Sequence, residues 1–478
     1  MIALYIVLAA LAVLIAVLLI RTARFTPRAG ATVAEGEESF DAARAVDALA
    51  ALVRCRTVSY RDSALEDDAE FEKLIALLPT LYPHAFEACT LTRLPDRALL
   101  FRWKGREAGD PTVLMAHYDV VPVDEAGWEK PPFDAILEDG VLWGRGTLDT
   151  KVTINGVLFA ADHLIAEGFI PAHDVYFAFS GGEEINGAGA VNIVDWFERE
   201  GITPSLVLDE GGAVVENVFP GVTAPCGMIG IAEKGMMDVE YAAVSSGGHA
   251  SAPKPRAPID RLARAVSRVL AKPFKAHLTA PVLAMFDTLG RHSNFVFRLI
   301  FANMWLFSGV IDLICKSSGG ELNALVRTTV AFTQMQGSTA SNVIPPRAAV
   351  VSNIRLNPAD TVESALDYLR RVADDDTVEI TALHGTNPSR ISRIDVEGYD
   401  RVASAVASTW RGCITTPYLM MQCSDSRHYG RISDRVYRFS AMDLTAAERA
   451  TIHGHNERIR VETVAKAVEF YIHLMRMS

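Results

Sequence analysis

At 478 residues the chain can hold about two to four domain-sized units, and half of its residues are hydrophobic, so sizeable cores are within reach. A formal charge of −12 argues against a nucleic-acid binder, which carries a basic patch. The six cysteines (Cys55, Cys89, Cys226, Cys315, Cys413 and Cys423) form no C-x-x-C pair, which argues against a thiolate zinc site and a disulfide framework alike.

Residues 2–20 are apolar throughout except for Tyr5, a length that crosses a bilayer. The run has no basic n-region and no clear small-x-small cleavage site, so it reads as a retained single-pass membrane anchor rather than a secretory signal. Arg21, Arg24 and Arg28 follow it. The positive-inside rule then leaves the body of the protein on the cytoplasmic side, but a large following domain can override that rule, and the side stays open. Residues 21–40, rich in Gly, Ala, Thr and Glu, read as a linker.

Strand-like and helix-like segments then alternate. "TVLMAHYDVVPV" (112–123) opens as a buried apolar strand and ends at Pro122. A helix is expected over 151–167, a strand over 174–180, a helix over 189–199 and a strand over 205–212. Strand, acidic loop and helix in repetition predict an α/β layer fold with a mostly parallel sheet flanked by helices. Functional groups in such sheets collect beyond the carboxyl ends of the strands. Residues 234–385 read differently: "GMMDVEYAAV" alternates, "PIDRLARAVSRVLA" and "VESALDYLRRVA" are amphipathic helices, and "NALVRTTVAFTQM" and "AAVVSNIRLN" are strand-like. A smaller α+β domain inserted between 41–233 and 386–478 is the economical organisation.

Several chemistry-bearing residues fall at strand ends or in tight loops: His117 and Asp119, Asp149 in "GRGTLDTK", Glu183 and Glu184 in "SGGEE", Asp209 in "LDEGG", and His453 in "IHGHNER". Each has a plain alternative. His117 with Asp119 reads as a core histidine tied to an acid, Asp149 as a helix N-cap, Asp209 as a turn former, and the glutamates and His453 as solvated surface. Together, two imidazoles and several carboxylates without thiolates suit a pair of zinc ions. One carboxylate shared between the ions is the economical arrangement. Of two adjacent glutamates, one can bind metal while the other stays free as a base for a water that the metal acidifies.

These residues resemble the M20 family of di-zinc metallopeptidases over about residues 45–475. "AHYDVVPV" is similar to the family's H-x-D-V-V-P and "WGRGTLDTK" to its W-G-R-G-x-x-D-x-K. "GGEE", "LDEGG", "GGHAS", "SNVIPP", "NIRLNP", "CSDSRHY" and "IHGHNERI" have counterparts in the same order. "NALVRTTVAFTQ", the insert before it and "SDSRHY" most resemble the branch of carboxypeptidase S and the N-fatty-acyl amino acid hydrolases. The resemblance implies that His117 and Asp209 bind one zinc, Glu184 and His453 the other, and that Asp149 bridges them. Position 209 holds Glu in some members, and His455 is the second choice for His453. Asp119 is implied to orient His117, and Glu183 to be the general base. The inserted domain, residues 234–385, is implied to act as a lid and dimerisation domain, with His249 entering a partner subunit's site as an oxyanion donor and Asn342 and Arg355 gripping a substrate carboxylate. The expected enzyme is thus a homodimeric zinc hydrolase of an amide bond next to a free carboxylate, in an N-acyl amino acid or, as the alternative, a short peptide. A catalytically silent binding protein is the reading from another class.

The apolar insert "SNFVFRLIFANMWLFSGVIDLICK" (293–316) has too many large side chains for one ordinary helix face. Arg298, Asn303 and Asp312 interrupt it, which disfavours a second membrane span. Two readings stay open, a helix packed against its own domain or the dimer partner, and a wall for long acyl chains.

Overall fold

The computed structural model describes residues 1–34, 36, 38–219 and 221–478. Glu35 and Glu37, two residues of the expected linker, lie outside the described residues. The chain opens with α1 (Ile2–Arg24), 23 residues whose only buried member is Thr22. Helix α2 (Ala42–Val53) begins the packed body, with Asp41 capping it by accepting the Arg44 N–H.

The central sheet takes β1 (Thr90–Leu94), β2 (Ala98–Trp103), β3 (Thr112–His117), β4 (Val175–Ser180), β5 (Leu206–Val215) and β6 (Cys226–Glu233) from the first part of the chain. Its eight strands run in the order β1-β2-β4-β3-β5, then two late strands around β6. β3 pairs in parallel with both β4 and β5. Every residue of β3, β4 and β6 is buried, as expected of strands covered on both faces. The crossover between β3 and β4 carries α3 (Lys151–Ala166), and α4 (Gly189–Glu200) joins β4 to β5. The doubly covered parallel arrangement agrees with the sequence reading, and helix and strand ends fall within a few residues of it.

The second layer system is a four-stranded antiparallel sheet built from β7 (Gly235–Val244), β8 (Thr329–Gln336), β9 (Arg347–Leu356) and β10 (Val378–Thr386), in the order β8-β9-β7-β10. Helices α5 (Pro258–Ala271) and α10 (Val362–Ala373) cover one face, and their buried residues form a separate core with Met237, Val239, Tyr241 and Ile354. Residues 323–326, expected as the start of a strand, end a helix instead. Between α5 and β8 run α6 (Ala280–His292), α7 (Phe295–Ala302), α8 (Met304–Ser318) and α9 (Gly320–Val326). Their buried residues, among them Val282, Phe286, Leu289, Phe301 and Leu325, belong to the core of the first sheet and not to that of the second. These helices therefore pack on the layers of the first sheet, although they lie in sequence between the strands of the second.

The chain returns through α11 (Glu397–Thr409), β11 (Ile414–Met420), β12 (Val436–Asp443) and α12 (Val461–Arg476). β12 pairs in parallel with β5, and β11 in parallel with β6, so the late strands complete the first sheet.

Candidate metal centre and active site

The carboxyl ends of β3 and β4 and the middle of β5 deliver His117, the Glu183–Glu184 turn and the Asp209–Glu210 pair to one place. His117 is the last residue of β3 and is buried. Its Nε2 lies 3.0 Å from Asp149 Oδ1. The other oxygen of Asp149, Oδ2, is 3.0 Å from Nε2 of His453, which is also 3.1 Å from Glu184 Oε2. Asp149 thus offers one oxygen to each imidazole.

His117, Asp149 and Glu184 bring donor atoms within 4.8 Å of one another, and so do His117, Glu183 and Glu210. All these donors are nitrogen or oxygen, the set that suits a borderline divalent cation such as zinc. The electrostatics also fit a cation. Burial, reinforced by the charge of Asp149, pushes Glu210 up to about 8. Burial likewise raises Glu183 well above the usual carboxylate range, against the pull of His117 and with help from Glu210, Asp425 and Glu184. Hydrogen bonds to Asp149 and Glu184 push His453 up to about 10. A largely enclosed group of acids that, among the described residues, is balanced by two imidazoles, one of them half exposed, is short of positive charge.

Asp209 does not stand where the resemblance put it. Its Oδ2 accepts the Ser426 N–H at 2.9 Å, whereas Glu210 Oε1 comes within 3.5 Å of His117 Nε2. The pleat of β5 explains the exchange, since successive side chains leave a strand on opposite faces. The register with β12 adds to it. Asp209 pairs with Arg438 and Gly212 with Phe439, so Glu210 and Gly211 bulge out of the ladder towards the site. Gly211, at φ +150°, sits so close to Arg438 and Met420 that a Cβ would meet both at 2.6 Å. The structure therefore assigns Glu210, in place of Asp209, to the group around His117.

Two further acids hold the donors in place. Asp119 is fully buried and accepts from Ser59 Oγ at 2.6 Å and from the backbone N–H groups of Glu183 and Glu184 at 3.1 Å each. His117 Nδ1 is 3.0 Å from the Asp119 carbonyl and 3.4 Å from its Oδ1. Asp119 consequently orients the imidazole and clamps the glutamate turn as well. Glu457 does the same for Asp149. It pairs with buried Arg145 at 2.7 Å and accepts the N–H groups of Gly146, Leu148 and Asp149. The sequence reading did not single out Glu457, although it belongs to the quoted "IHGHNERI". His455 is excluded from the cluster, because its ring lies against Gly127, closer than any Cβ there would allow.

A cavity of about 640 Å³ opens on this group, lined on one side by Asp149, Glu183, Glu184, Glu210 and His453. Its other side is apolar, with Met285, Leu322 and Leu325 from α6 and α9. Arg355 reaches its edge, where Nη1 is 3.7 Å from the sulfur of Cys423, a lining residue. Among the described residues, His249 and Asn342 do not line it. Both are exposed on the two-stranded ladder in which His249 pairs with Val343, and the Asn342 carbonyl accepts the Ala250 N–H at 3.0 Å.

The sequence profile of Peptidase family M20/M25/M40 matches residues 113–477. The chain belongs to this peptidase family. An N-fatty-acyl-amino acid synthase/hydrolase, PM20D1, from Xenopus tropicalis is 34% identical over 98% of this chain and 93% of its own length. A protein named probable carboxypeptidase S-like 2 from Dictyostelium discoideum is 33% identical over 90% of this chain and 84% of its own. Among solved structures, an M20 metallo-carboxypeptidase from Sulfolobus solfataricus shares the fold with a TM-score of 0.65, at 19% identity over 91% of this chain and 98% of that one. Human carnosine dipeptidase 1 shares it at 0.63, with 14% identity over 91% and 96%. As an M20 chain the protein is a metal-dependent amide hydrolase, and its candidate metal site lies at the strand ends described above.

Proposed function

We propose that this M20 enzyme hydrolyses N-acyl amino acids, long-chain acyl groups included, on a pair of zinc ions. The observation that carries the reading is Asp149, whose two oxygens each lie 3.0 Å from a different imidazole. His117 and Glu210 would hold one ion and His453 and Glu184 the other, with Asp149 shared. When bound, the ions supply an acidified water and a polarised carbonyl. Glu183 accepts the proton of the attacking water and delivers it to the amine nitrogen as the C–N bond breaks, a task that a raised carboxyl pKa favours. Arg355 grips the free carboxylate through a planar fork that can bind it with two hydrogen bonds, and Asn342, which lies outside the cavity of its own chain, joins that grip only once a dimer is assembled.

His249 and Asn342 lie on an exposed loop, which fits a homodimer in which His249 of the partner subunit completes each site. Mixing inactive His249→Ala and Glu183→Gln chains then restores activity, because each hybrid dimer contains one site with both residues intact. No recovery after verified subunit exchange contradicts the shared site. The exposed apolar α1 supports a membrane anchor.

The apolar half of the cavity and the name of the Xenopus relative favour acyl substrates, and the name of the Dictyostelium relative favours peptides. Side-by-side turnover of palmitoyl-phenylalanine and a blocked dipeptide separates the two. Faster cleavage of the dipeptide makes the protein a carboxypeptidase, and cleavage of neither contradicts both substrate readings.

A further inference from the structure

Helices α7 and α8 leave apolar side chains in the open. Phe295 and Val296 on α7 and Trp305, Leu306, Val310 and Leu313 on α8 are all exposed, Trp305 at 57% and Leu313 at 66%. Single exposed apolar residues are ordinary, but six on one bent pair of helices need a partner. The two helices meet at Asn303 with a bend of 116°. With 8 and 15 residues they rise about 12 and 22 Å, so neither crosses a hydrocarbon core of about 30 Å.

The bend is fastened to α1. Asn303 Nδ2 donates to the Leu18 carbonyl and to Thr22 Oγ1, both at 3.3 Å, and Arg21 Nε donates to the Ala302 carbonyl at 3.2 Å. Leu18 lies about 9 Å of helix rise before the end of α1. At that level the apolar run of α1 gives way to Arg21, Arg24 and then Arg28. In a membrane this is the boundary between acyl chains and headgroups, where basic side chains meet phosphates.

We propose that the α7–α8 hairpin is a second membrane contact, its exposed face lying in the acyl region of the leaflet that surrounds the C-terminal end of α1. The occupant is the lipid bilayer, because α1 is apolar and open along its length and the hairpin is hydrogen-bonded to its last turns. The inference rests on the reading of α1 as an anchor. A helix pair with aromatic and aliphatic side chains on one face and cations beside it is suited to lie in a membrane interface. The hairpin also backs on to the catalytic cavity. Leu322 lines that cavity and, with Phe219, Phe297 and Phe301, a narrow apolar recess beneath the hairpin. Docking therefore brings the apolar end of the cavity next to the leaflet from which an acylated substrate comes.

The test is tryptophan emission from the full chain reconstituted into phosphatidylcholine–phosphatidylglycerol vesicles whose acyl chains are brominated near the glycerol end. Docking predicts a loss of up to about one sixth of the emission, Trp305 being one of six tryptophans, and no such loss in Trp305→Phe. Leu313→Asp provides a second variant, in which Trp305 quenching falls while the chain stays with the vesicles. Alkaline extraction reads the anchor separately. A chain that resists extraction with Trp305 unquenched keeps the anchor and overturns the hairpin contact. A chain that is extracted at high pH yet quenched through Trp305 at neutral pH keeps the contact and overturns the anchor. Trp305 shielded in a second copy, shown by cross-linking and lack of quenching, also overturns the proposal. Substrate turnover enters none of these readouts.

Discussion

The metal centre and the α7–α8 hairpin depart from the ordinary sorting of side chains in opposite directions. Around the carboxyl ends of β3 and β4 and the middle of β5 the protein withdraws several acids and His117 from water, while on the hairpin it exposes Phe295, Trp305 and Leu313. Burying charge without a partner costs several kcal/mol per group, and leaving a large apolar side chain in water forgoes about 1.5–3 kcal/mol. Each departure is relieved by a component from outside the chain, a cation in one region and an apolar surface in the other. The two regions differ in how firmly they are held. The donors of the centre are fixed by Asp119 and Glu457, each accepting several hydrogen bonds, whereas the outer face of the hairpin lies exposed. Rigid and charged on one side, open and apolar on the other, the cavity between them joins both.

The largest effect separates the two members of the glutamate turn. Glu183→Gln lowers kcat by about 10²–10⁴-fold with metal content unchanged, whereas Glu184→Gln loses metal. Turnover assays with metal analysis check this, and swapped phenotypes reverse the assignment. A finer contrast lies within β5. Glu210→Gln weakens metal binding more than Asp209→Asn, whose effect stays in the range of about 10–100-fold seen for groups that orient ligands. Metal-binding titrations of the two variants decide, and a stronger effect at Asp209 returns that residue to the ligand set. Asp119→Asn, which puts an amide where several donors converge, also falls within about 10–100-fold in metal affinity or activity. The smallest step belongs to the apolar side. While Met285, Leu322 and Leu325 are being covered, kcat/KM rises by about fourfold per added methylene of the acyl chain. A series from acetyl to palmitoyl measures the slope, and a flat series removes the acyl role from that half of the cavity.

Most of the centre was legible because its residues sit in short motifs at the ends of apolar runs. The buried strand before His117 and the Gly-rich turn before Glu183 predict where those side chains emerge. Asp209 misled because "LDEGG" does not show that the ladder with β12 slips there. A bulge created by a strand more than two hundred residues away decides which of two adjacent acids faces His117. Glu457 escaped for a similar reason, since its partners, the N–H groups of residues 146–149, are distant in sequence. The place of the insert was also hidden. Its apolar residues match either core equally well by composition, and only the tertiary contacts of Phe301, Ile311 and Cys315 put it on the first sheet.

The most direct test of the account is to strip the protein of metal and titrate zinc back while following hydrolysis of an N-acyl amino acid. The shared position of Asp149 predicts that two zinc ions bind per chain and that activity, absent in the stripped protein, reaches its plateau only at the second. Full activity in the stripped protein, or a plateau at one equivalent with no second ion bound, contradicts it.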